Sequence, residues 1–88
     1  MTKNLKSKYN SIVNEFYALY RKRKEKYVNS IDHVDPITKP SCWLMYCNAK
    51  MREIETFRDI FKRFNVNVET KEQVDNLEYL FNKFRNLG

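Results

Sequence analysis

Along residues 4 to 31 the apolar side chains Leu5, Tyr9, Ile12, Phe16 and Leu19 follow one another at steps of four, three, four and three. That is the spacing of one face of an α-helix. Val13, Tyr17 and Tyr20 widen the stripe, and neither glycine nor proline interrupts it. The pattern predicts a first helix about 40 Å long at the 1.5 Å rise of an α-helix. It ends at HVDPITKPS, where Pro36 and Pro40 each hold the preceding residue extended.

From residue 41 to 64 the helical spacing returns, with Leu44, Cys47, Met51, Ile54, Phe57, Phe61 and Phe64 on one side and Ser41 placed as N-cap behind Pro40. Charged residues cover most of the other side, and Glu55 with Arg58 is a favourable pair on it. Trp43 is expected as a core residue near the cap, wedging the proline-rich loop against the bundle. The polar, β-branched run NVNVET, residues 65 to 70, then stops the helix. A third stripe follows over 71 to 87, made of Val74, Leu77, Leu80, Phe81, Phe84 and Leu87. Thr70 with Gln73 reads as a capping box. Glu72 and Asp75 sit in the positive first turns and Lys83 and Arg85 in the negative last turns, with Gly88 placed to end the helix. No segment alternates with strand period over a useful length. The expectation is an all-α three-helix bundle with a long basic first helix, one helical domain over residues 1–88.

Length and composition narrow this further. Eighty-eight residues supply a single modest core. Nothing approaches the roughly 18 apolar residues of a membrane span, and the start MTKNLKSKYN lacks a signal peptide's apolar run. A cytoplasmic protein is expected, or a nuclear one in a nucleated host, where Arg21 to Lys24 would also read as a basic import run. Cys42 and Cys47 stand five apart, about 140° around one helix, so neither a disulfide nor a shared metal is expected. His33 is the only histidine, too few for a zinc site without carboxylates. No metal and no cofactor are expected.

The net charge of +6 must be discounted first, because alanine, glycine and proline are scarce while Lys, Asn, Tyr, Phe and Ile abound. All five have AT-rich codons, as in the genomes of many phages, large viruses and low-GC bacteria, and mutational bias alone would add lysine. Such bias would scatter it along the chain. Instead residues 1 to 30 hold eight basic side chains against two acidic, and residues 31 to 88 hold nine of each. The whole imbalance lies in the first helix, the footprint expected of a polyanion-binding surface.

Its densest part is YRKRKEKY, residues 20 to 27. At 100° per residue Arg23 points the same way as Leu5 and Phe16, so a cation breaks the apolar stripe. The helix is therefore expected to run past the core there, with Tyr20 and Tyr27 flanking Arg23 as stacking surfaces. The candidate binding residues are Tyr20, Arg21, Lys22, Arg23, Lys24, Lys26 and Tyr27, extended by Lys3, Lys6 and Lys8.

The first functional expectation is a small non-enzymatic protein, viral or phage in type, that binds nucleic acid without sequence preference. The alternative is a protein-interaction module, a homo-oligomeric adaptor or inhibitor that sets the same Tyr/Arg-rich helix on an acidic protein. In that case a homodimer would use the surplus of Val13, Tyr17 and Tyr20. A membrane surface ranks third, because the apolar face is needed for the core. Catalysis finds little footing: there is no glycine-rich phosphate loop, and Asp32, His33 and Asp35 before Pro36 read as turn chemistry. A helix-turn-helix over residues 57 to 81 fails on charge, since Glu69, Glu72, Asp75 and Glu78 would face the phosphates.

Overall fold

The computed structural model describes residues 2–32 and 41–87, with side chains described for 2–30 and 43–87. Three helices pack on one another: α1 (Lys3–Asp32), α2 (Ser41–Phe64) and α3 (Lys71–Arg85). Together they form an all-α three-helix bundle 57 Å long and only 19 by 16 Å across. Tyr9 reaches Asn65 and Lys24 reaches Glu55, so α1 and α2 run antiparallel. Lys8 meets Asp75 and Glu78 while Arg23 meets Phe84 and Arg85, so α3 runs parallel to α1.

The periodic stripes become the core. Ile12, Phe16, Cys47, Ile54, Phe61, Val74, Leu77, Phe81 and Phe84 are buried between the helices. At its centre the Phe16 and Phe61 rings stack at 3.9 Å between centroids, and Phe84 closes on Phe16 at 4.8 Å. Each such ring removed from water contributes about 2 kcal/mol. An all-helical fold is what these stripes require, since none can hide its apolar face alone.

Caps set the ends. Thr2 accepts the Leu5 amide at 3.3 Å, a cap the periodicity does not signal. Thr70 accepts the Gln73 amide at 3.2 Å while the Gln73 side chain accepts the Thr70 amide at 2.9 Å, completing the expected box. In the turn before it Asn67 has φ 54°, a left-handed conformation that asparagine tolerates better than other non-glycine residues. The last helix stops at Arg85 with Asn86 as C-cap, short of the expected 87 and without Gly88.

Two packing expectations need correction. The core does not end before the basic tract: Tyr20 is 7% and Tyr27 9% exposed, so both belong to it. Val13 and Tyr17 are half-buried against that core. Trp43 is not a core residue, because it is 39% exposed; the proline-rich loop it was expected to wedge lies outside the described residues. The reason is length. At 1.5 Å per residue α3 spans only about 22 Å against about 45 Å for α1. Its Arg85 stands level with Arg23, so α1 beyond residue 24 and the first turns of α2 have no third helix over them.

Candidate functional site

The ten basic and aromatic candidates on α1 separate into an inward and an outward set. Facing inward, Tyr20 donates its hydroxyl to Glu55 at 2.7 Å, and Lys24 pairs with the same carboxylate at 3.0 Å. Arg58 adds a third contact at 3.1 Å, which makes Glu55 the link between α1 and α2. The Tyr20 hydrogen bond, then Lys24, holds the Glu55 carboxyl below the ordinary glutamate range. Glu55 in turn raises the pKa of Lys24. Near the start of α1, Lys8 pairs with Glu78 at 3.3 Å and Asp75 at 3.5 Å, and the bond to Glu78 raises its pKa.

Arg23 is the cation that breaks the apolar stripe, and the structure shows what it does there. Its guanidinium donates to the backbone carbonyls of Phe84 and, at 2.8 Å, of Arg85, while lying 4.8 Å from the Phe84 ring centre. The last carbonyls of a helix have no partner within it and carry partial negative charge. A side chain of α1 thus completes the end of α3. Tyr20 and Tyr27, expected to flank Arg23 as open stacking faces, are closed off by burial.

The outward set comprises Lys3, Lys6, Arg21, Lys22 and Lys26, all exposed. None of them has an ion pair among the described residues. Arg23 brings the backbone end of α3 to the tract, while the Arg85 guanidinium lies 5.5 Å from the Phe81 ring centre on its own helix.

Just beyond the end of α3 lies a notch of about 60 Å³, walled by Arg23, Lys26, Tyr27, Lys50, Glu53 and Leu87. It carries three cations against one carboxylate. Lys50 bridges Glu53 at 3.5 Å, and its ammonium also lies 5.7 Å from the Tyr46 ring centre. Lys26 sits at the same distance from Tyr27. From the notch a row of rings runs outward: Tyr27 meets Tyr46 edge-on at 6.5 Å, and Tyr46 stacks with Trp43 at 5.9 Å. Burial, followed by the neighbouring Tyr46 hydroxyl, raises the Tyr27 pKa. Tyr46 is 47% exposed and Met45, beside it, 70%.

Lys50, Tyr46 and Trp43 were not among the sequence candidates. One signal pointed to them: a third stripe shorter than the first does not reach the far end of the hairpin.

Among the described residues no group of three or more His, Cys, Asp or Glu is arranged to hold a metal, and no helix is long and apolar enough to cross a membrane. Cys47 is a buried free thiol. The side chains of Asp32 and Cys42, together with His33 and Asp35, fall outside the described residues. Comparison with known proteins finds no matching family, no similar curated protein and no similar solved structure.

Proposed function

We propose that the protein binds nucleic acid without sequence preference, through the outward cations of α1. One observation carries this reading. The inward cations are matched one by one, Lys8 with Asp75 and Glu78, Lys24 with Glu55, and Arg23 with two carbonyls. Arg21, Lys22 and Lys26 are exposed and have no such ion pair among the described residues. Unmatched cations of one sign gathered on one surface attract a polyanion and release its counterions. No enzymatic step is needed for that role.

A protein partner has one feature in its favour, the exposed Trp43, Met45 and Tyr46 at the start of α2, since interfaces draw on aromatic residues and methionine. On α1 its proposed anchors Tyr20 and Tyr27 are buried. The nucleic-acid reading uses more of what stands in solvent.

Fluorescence anisotropy with labelled oligonucleotides over a salt series tests it, comparing the wild type with an Arg21→Glu, Lys22→Glu double variant. Both positions are exposed, so the fold is retained. The expected result is a steep salt dependence in the wild type and, in the variant, a large loss of affinity with a slope shallower by about two. Unchanged affinity and slope at low salt would overturn the proposal.

A further inference from the structure

The cationic notch and the ring row beside it are joined at a spacing that a charged patch alone does not require. We propose that the notch holds a phosphate of a single-stranded nucleic acid, while the adjoining Tyr46–Trp43 pair takes a neighbouring base. This rests on the nucleic-acid reading above and adds to it a ligand class and a place.

Three features support it. First, the notch is an anion site by composition: Arg23, Lys26 and Lys50 converge there against Glu53 alone. Arginine has five N–H donors. Those of Arg23 not spent on the Phe84 and Arg85 carbonyls remain to serve an anion. At about 60 Å³ the notch has room for a phosphate group. Second, the rings lie outside the notch and not in it, with Tyr46 and Trp43 both partly in water. A base must therefore stack beside the bound phosphate. Third, the Lys50 ammonium is 5.7 Å from the Tyr46 ring centre, so a phosphate held by it is within one nucleotide's reach of a base on that ring.

This geometry selects a single strand. In a duplex the base faces are already stacked on one another, and only phosphates and groove edges face a protein. In a single strand every base has an open face, and aromatic side chains beside a basic track are what such strands bind. An acidic peptide would satisfy the cations but offers the ring pair nothing comparable.

Trp43 is the only tryptophan of the chain, so its emission reports on this site directly. The experiment titrates the full chain with oligothymidylate and with a duplex of the same length, following anisotropy of the labelled strand and tryptophan emission together. The variants are Tyr46→Ala and Lys50→Gln, both checked for an unchanged thermal melt, beside the Arg21→Glu, Lys22→Glu pair.

The expected result is that oligothymidylate changes Trp43 emission and that Tyr46→Ala weakens single-strand binding about tenfold, the loss of one base–aromatic contact, with duplex binding unaltered. Lys50→Gln should lower the single-strand salt slope by about 0.7. Strand binding with silent Trp43 emission and no effect of Tyr46→Ala would overturn the notch and leave the α1 reading standing. The reverse pattern, sensitivity to Tyr46→Ala with none to the α1 double variant, would overturn the α1 reading alone. Absence of any binding overturns both. Displacement of oligothymidylate by polyglutamate at equal charge would make the ligand an acidic protein and overturn the assignment to nucleic acid.

Discussion

Replacing Arg23 by methionine keeps the aliphatic stem and removes the guanidinium. Two hydrogen bonds to the carbonyls of Phe84 and Arg85 disappear, along with the contact over the Phe84 ring. Hydrogen bonds from a charged donor contribute about 1.5–3 kcal/mol each when water cannot replace them. Here the bond to Arg85 is exposed and the other part-buried, so water can take over much of that role. A cation at a helix C-terminus adds about 0.3–1 kcal/mol and one over an exposed ring about 0.5–1. These effects overlap, because they share one group, and their joint worth is about 2 kcal/mol. For a domain of this size that shifts the melting temperature by roughly 8–16 °C.

Urea and thermal unfolding followed by circular dichroism measure the loss. Arg23→Lys separates geometry from charge. A single ammonium lacks the rigid planar fork that spans both carbonyls, so lysine should recover less than half of the lost stability. Full recovery by lysine would show that charge near the end of α3 is all that matters. A methionine variant within about 0.5 kcal/mol of wild type, the range of ordinary surface changes, would refute the capping role altogether.

Two further predictions follow from the packing and from the ion pairs. Phe61→Ala removes the ring stacked on Phe16 and should cost about 3–5 kcal/mol, whereas Phe64→Ala, half exposed at the end of α2, should stay within about 0.5; equal losses in urea unfolding would contradict the placement of the core. The folded pKa of Glu55 lies below its ordinary value of 4.5. Its contribution is therefore fully present above about pH 4.5 and is lost as the pH falls through the folded pKa. Glu55→Gln should be less stable than wild type at neutral pH, with a gap that narrows in acid; a gap constant across the pH series would disprove the linkage.

The tract around Arg23 shows where sequence and structure part. On a helical wheel Arg23 shares the direction of Phe16, and a cation among apolar positions reads as the point where the core gives out. The core in fact continues, since Tyr27 four residues further on is buried. A guanidinium can sit on a buried face when fixed acceptors meet it, and the acceptors here are backbone carbonyls. Backbone carbonyls leave no mark in a sequence. The same limit applied to Lys8 and Lys24, whose partners lie on other helices, sixty-seven and thirty-one residues away along the chain.

What the sequence determined by itself was local. Stripes repeating at three and four residues, two prolines and a capping box set the three helices, their breaks and their apolar faces, because each depends on neighbours within a turn or two. The concentration of charge in the first thirty residues was equally plain. Only the tertiary structure decided which cations are consumed. It also decided that Arg23 meets the end of α3, and that Lys50, Tyr46 and Trp43 gather where α3 stops. Those outcomes depend on the relative length and register of packed helices. Register is fixed by contacts between residues far apart in the chain, and no periodicity within one helix encodes it.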